Sequence, residues 1–170
     1  RCTTDGLRLR PLSVDELFHY GQANTDAAPI TTVQPSGPTT CLSSQSPFIA
    51  AKAANMPALL ARQEITAPNG LFVMLPQQHL LFYAPADPNN ISAQLHSLVD
   101  FVRFPIIDAQ TNNPHRALSR DIFYYSPDGT LDAITRADDP DVQELLSNPH
   151  ISSTNYHVSV QKYLSPAFEQ

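Results

Sequence analysis

The chain predicts an α+β fold: a predominantly antiparallel sheet of two hairpins, with helices packed on one face, in a single domain over residues 1–170. Three observations lead there. Two all-apolar runs, Leu71 to Leu75 and Leu80 to Ala84, are separated by only four residues. That spacing is too short for a parallel crossover, so the runs pair as an antiparallel hairpin covered on both faces. A second pair of runs, Ile122 to Tyr125 and Thr130 to Ile134, flanks Asp128-Gly129, a dipeptide that tolerates the positive φ of a tight reversal. Between the two pairs, Ile91, Leu95, Leu98, Val99 and Val102 recur at helical spacing, giving a helix over 91–104 that Pro105 ends.

The length and a hydrophobic content of 42% suffice for one core; two domains of this size would be under-cored. From the N-terminus, Ser13 and Glu16 form an S-x-x-E capping box, with Leu12 and Leu17 placed as a hydrophobic staple, and Gly21 stops the helix. Residues 22–45 hold prolines, a glycine and little periodicity, and read as a long Pro-rich loop with one edge strand near Ile30 to Val33. Ser46-Pro47 opens a helix over 47–56, which Pro57 breaks near Asn55 or Met56, because proline lacks the amide donor and clashes with the preceding turn; a shorter piece follows.

Beyond the helix at 91–104, residues 106–116 form a loop to the second hairpin. Asp139 then caps a short helix closed by Asn148-Pro149, and the alternating run Tyr156 to Tyr163 gives a last strand.

Charged residues are 15% of the chain, against about 25% in an average protein, so the surface is polar more than ionic. The net charge of −6 and only two lysines, Lys52 and Lys162, leave no basic stripe to neutralise phosphates; nucleic acid is not an expected partner. No apolar run approaches the ~18 residues that a membrane span needs, so no membrane insertion is expected. A first residue Arg1 in place of Met is expected to reflect removal of upstream sequence, which leaves the compartment open. Cytoplasmic residence goes with free thiols at Cys2 and Cys41, and an extracytoplasmic one with a bridge between them.

Residues able to carry chemistry are sparse. Cys41 precedes a predicted helix whose dipole would lower a thiol pKa, and His79 or His115 could serve as its base in a Cys/His-dependent hydrolase or transferase. His79, in the turn of the first hairpin, is otherwise a half-exposed structural histidine. The six histidines share no metal-ligand spacing, and helix capping accounts for Asp138, Asp139, Asp141 and Glu144. No glycine-rich phosphate loop occurs, so no cofactor is expected. Phe123, Tyr124 and Tyr125 are consecutive in a strand, so their side chains alternate between faces and tyrosine on an outer face is a candidate interface anchor.

Residues 69–135 run in a definite order: an apolar strand ending in Pro76, the polar pair Gln77 and Gln78, a strand from Leu80 to Tyr83, a helix ending near Phe101 and Phe104, and the hairpin F-Y-Y-S-P-D-G-T-L. This order resembles the C-terminal part of a family of uncharacterised bacterial proteins, the YtpQ-like family. The resemblance implies the fold and a bacterial source, and no particular activity. Where the family commonly has an acidic residue this chain has His79, so no role of that acid carries over. The expected function is a non-catalytic protein-interaction or regulatory module binding another protein or itself, with the Cys/His enzyme and a small-ligand-binding domain as alternatives.

Overall fold

The computed structural model describes residues 12–91, 93–95, 97–98, 118–119 and 121–135. Helix α1 spans Val14–Ala27, strands β1 and β2 span Thr32–Ser36 and Thr39–Ser43, and a 3-10 helix η1, Ala50–Asn55, leads directly into α2, Met56–Arg62. Strands β3, Leu71–Gln77, and β4, Leu80–Pro85, form the first predicted hairpin; β5, Ile122–Tyr125, and β6, Leu131–Ala133, form the second. Residues 91, 93–95 and 97–98 are helical, as the 3.6-residue period requires. The rest of the helix predicted over 91–104, His115, Cys2, the acidic segment 138–144 and the strand at 156–163 lie outside the described residues.

All strands join one antiparallel sheet in the order β1-β2-β4-β3-β5-β6, so the fold is α+β. Strand β3 is central, with Val73 paired to Tyr83 of β4 on one side and to Phe123 of β5 on the other. Successive residues then serve two cores. On one face Phe72, Met74, Phe82, Ala84 and Ile122 pack with the helical residues Leu95 and Leu98. On the opposite face Leu71, Val73, Leu81, Tyr83 and Leu42 pack with Ile49, Ala53, Met56 and Leu59 from the η1–α2 region. Burial on both faces is why these strands are continuously apolar instead of alternating. Pro76 is tolerated because the β3–β4 register shifts between Met74 and Gln77, a bulge that needs no amide donor from it.

The structure corrects three local expectations. Gly21 does not end α1, which runs to Ala27 with a cap at Ala28. Glycine weakens a helix interior by ~1 kcal/mol without breaking it, and the helix end is set by side chains from η1 and α2 that take up its last carbonyls. The Pro-rich segment is not a loop with one strand but the hairpin β1–β2, turned at Gly37 with φ +58°. Pro35 escapes the usual penalty since β1 is an edge strand, exposed along its whole length. Finally, the helix expected over 47–56 is the shorter 3-10 element η1, which α2 succeeds where Asn55 caps it and Pro57 enters its first turn. With three residues per turn, Ala50, Ala53 and Met56 eclipse one another and are all buried, a period that an α-helix would not keep.

The N-terminal capping box is formed as the sequence predicts: Glu16 N–H donates to Ser13 Oγ at 3.1 Å and Ser13 N–H donates to Glu16 Oε2 at 2.9 Å. The second hairpin closes through a longer loop than a two-residue turn. Asp128 Oδ1 accepts from the Ser126 hydroxyl and from the amide and hydroxyl of Thr130, and these bonds hold its carboxyl below the usual range.

Gly70 fits where no other residue does. Its φ is +85°, and a Cβ there would lie 2.6 Å from both Tyr124 Oη and Tyr125 O. Gly70→Ala is therefore expected to cost about 2–4 kcal/mol, from left-handed backbone strain plus overpacking. Urea unfolding checks this, and a loss below about 0.5 kcal/mol would mean that the strand entry is not packed as described.

Candidate functional site

The feature of this structure least explained by folding alone is α1. None of its residues is buried. Its apolar stripe has helical spacing, yet Val14 is 66% exposed, Leu17 56% and Phe18 76%. An isolated 14-residue helix is marginal in water, so something other than apolar packing must retain it.

That something is polar and sits at the C-terminal end. Lys52, on η1 and itself buried, donates from Nζ to Thr25 O at 2.7 Å and to Asp26 O at 2.9 Å. Arg62 of α2 donates to the same Asp26 carbonyl, and Asn55 Nδ2 donates to Asp26 Oδ2 at 2.7 Å. Two needs meet here. The last carbonyls of a helix lack intrahelical donors and carry the negative end of its dipole, while a buried ammonium must have acceptors. Burial lowers the Lys52 pKa, with Arg62 acting in the same direction and Asp26 against it. Hydrogen bonds to charged groups are worth about 1.5–3 kcal/mol, enough for a few to pin a helix that buries nothing.

Pinned at one end, α1 leaves an open groove of about 890 Å³ between itself and the body of the domain. Val14, Leu17 and Phe18 form one wall, Phe48, Ala51 and Ala54 the other, and Leu75 and Leu131 contribute from the sheet. Among the described residues none of the lining side chains carries a charge. Phe48 is 51% exposed, so both walls present apolar surface to solvent. The described lining is mostly apolar, with Gln22, Asn24 and Thr25 as its polar members, and is suited to taking up apolar surface.

The sequence-predicted site residues lie elsewhere. His79 is half-buried in the β3–β4 turn, its Nδ1 3.1 Å from Ser46 O and its Nε2 3.1 Å from Gln78 Nε2. The backbone of the same turn accepts from Ser44 and Ala50, so the turn ties the 44–50 segment to the sheet. Cys41 is a free thiol on β2, opposite Phe82 and partly buried against the first core. His79 lies three residues before Phe82, roughly 10 Å back along the strand at ~3.3 Å per residue. Among the described residues no hydrogen bond joins an imidazole to the thiol. Burial pushes the Cys41 pKa up, opposite to the lowering expected from a helix terminus; β2 and the 44–49 turn separate the cysteine from any helix start.

The aromatic triplet divides between the two faces, as strand alternation requires. Tyr124 packs against the first core, its ring centroid 5.6 Å from that of Phe72 and its hydroxyl donating to Asn69 O at 2.8 Å. Phe123 and Tyr125 pack against the second core. All three are only partly exposed. Burial, reinforced by Asp128, raises the Tyr124 pKa.

Sequence reasoning missed the groove although it found the helix. The spacing of Val14, Leu17 and Phe18 marks an amphipathic stripe, but nothing local says whether a stripe is covered. Among the described residues no group of three or more His, Cys, Asp or Glu could hold a metal ion, and no helix is long and apolar enough to cross a membrane. Comparison with protein-family models, curated proteins and solved structures finds no match.

Two outcomes follow from these contacts. Lys52→Met keeps the apolar stem of the side chain and removes the clamp, so amide hydrogen exchange over residues 14–27 should accelerate at least about tenfold while β3 and β4 stay protected. Equal exchange in the variant would show that α1 is held by other means. For Cys41, burial disfavours the thiolate, so in a Cys2→Ser background iodoacetamide labelling of the folded chain should rise only at a pH above the ordinary thiol value of ~8.5. Fast labelling well below that value would mark an activated cysteine.

Proposed function

We propose that this chain is a non-catalytic protein-interaction or regulatory module whose binding surface is the groove between α1 and η1. The observation that carries the reading is the lining of that groove, uncharged among the described residues, about 890 Å³ and bordered by Val14, Leu17, Phe18 and Phe48, each more than half exposed. A contiguous apolar patch of this kind on a folded chain marks a surface that another molecule covers. Covering it gains roughly 25 cal/mol per Å² of apolar area.

The occupant that fits is an amphipathic helix from a protein partner. One wall of the groove is a helix, and a second helix can set apolar residues at i, i+3, i+4 and i+7 into it. Asp15 is exposed in the first turn of α1 and Glu16 follows it, while α1 has no Lys or Arg. A partner with a cation beside its apolar stripe therefore complements this end of the site. Polar groups are a minority of the described lining, Gln22, Asn24 and Thr25, and Gln22 is already bonded to Asp26, which favours an apolar occupant. The order of elements over residues 69–135 supports a proposed kinship with the YtpQ-like family, and that kinship bears on the fold alone.

Selection from a displayed library of random peptides tests the reading. Enriched sequences should carry apolar residues at helical spacing. Ala51→Arg, which places a charge in the lining at an exposed position, should abolish their capture while changing stability by no more than about 0.5 kcal/mol. Capture indifferent to Ala51→Arg would remove the groove as the binding surface.

A further inference from the structure

We propose that Asn69 is a site of spontaneous deamidation that the Tyr124 hydroxyl keeps shut in the folded chain, and that isoaspartate formed there blocks the docking of β5 on β3. Asn69-Gly70 is the chain's only Asn-Gly step, and the reaction needs no partner but water. The Gly70 amide nitrogen attacks the carbonyl carbon of the Asn69 side chain, its proton passes to a solvent base, and ammonia leaves, closing a succinimide ring. Water then opens the ring at either carbonyl. Cleavage at the side-chain carbonyl gives aspartate, and cleavage at the main-chain carbonyl gives isoaspartate. Glycine favours the attack because no Cβ crowds its nitrogen.

The side chain that reacts is accessible, whereas the nitrogen that attacks is held. Asn69 is exposed in the turn that Pro68 opens, and Gly70 is buried. The peptide unit between them is bonded at both ends: Gly70 N–H donates to Ala67 O at 3.0 Å, and Asn69 O accepts from Tyr124 Oη at 2.8 Å. Attack requires this unit to turn and present its nitrogen to the Asn69 side chain. Because the unit is planar, turning it breaks both bonds together. The Tyr124 ring closes the remaining space, since a carbon added to Gly70 would lie 2.7 Å from its Cε2.

Tyr124 stands 55 residues along the chain from Asn69 and reaches it through the pairing of Phe72 with Tyr124. The guard is therefore in place only while β5 lies on β3. When the β5–β6 hairpin lifts, Asn69 O loses its donor and the Gly70 amide meets solvent. Isoaspartate routes the main chain through the side-chain methylene, lengthening it by one carbon just before Gly70. That is where a carbon on the glycine itself has no room and where Leu71 is already opposite Tyr125. A lengthened strand entry cannot present Leu71 and Phe72 to β5 in register, so a reversible opening becomes permanent.

The 170-residue chain, incubated in mildly alkaline buffer and mapped by proteolysis and mass spectrometry, should deamidate at Asn69 at least about tenfold more slowly than the same chain in denaturing urea. Tyr124→Phe keeps the ring and removes the hydroxyl, so it should speed the reaction of the folded chain about fivefold. Leu42→Val loosens the core on the opposite face and leaves the hydroxyl in place. Compared at the same fraction unfolded, it should react more slowly than Tyr124→Phe. Equal rates in the two variants would mean that only global unfolding exposes Asn69 and would overturn the proposal, as would equal rates in the folded and denatured chains. Chain refolded after isoaspartate has formed should exchange its amides faster over β5 and β6 while β4 stays protected, and unchanged exchange there would overturn the block on docking.

Discussion

The burial of β3 and β4 on both faces is the constraint from which the rest of the architecture follows. Leu71, Phe72, Val73 and Met74 are all fully buried, so neither face of the central strand meets water. Each large apolar side chain so buried contributes about 1.5–3 kcal/mol, a gain available only if a cover lies on each side. The chain supplies one cover from the η1–α2 region upstream of the hairpin and the other from the helical residues Leu95 and Leu98 downstream of it. The flanking strands complete the backbone bonding of the central pair, β2 on β4 and β5 on β3.

Helix α1 obeys a different logic. It lies outside both cores and is held by the clamp from Lys52, Asn55 and Arg62. The clamp joins a buried cation, which must have acceptors, to the carbonyls at a helix end, and each serves the other. Because the attachment is polar and confined to one end, the apolar stripe of α1 is not consumed by folding. The exposed stripe is what the scaffold leaves over, and the same polar anchor that makes α1 part of the domain keeps that stripe uncovered by the described residues.

Much of this was legible in the residues. The apolar runs at 71–75 and 80–84 and the Asp128-Gly129 reversal identify their hairpins because a two-residue period, or its absence, follows from burial. The Ser13–Glu16 box is legible because both of its hydrogen bonds are made within four residues. The β1–β2 hairpin was hidden: its prolines and its exposed outer strand remove the very signals that identify strands, and pairing to β4 is a long-range event. Gly21 misled for a similar reason. Its local preference was for a helix end, and contacts from residues 52, 55 and 62 moved that end to Ala27. The cysteine and histidine that suggested chemistry are set apart by strand register, which no spacing along the chain could report.

The sequence by itself determined the α+β class, the two hairpins and the Ser13–Glu16 cap. Each of these depends on residues near one another in the chain or on composition. Only the tertiary structure decided which apolar stripe is covered and which is not. Val14, Leu17 and Phe18 have the same spacing as a core-facing stripe, and Lys52 has the formula of a surface lysine. Their roles reverse because the ammonium is buried against the helix end, and the helix, satisfied there, has no need to bury its apolar face.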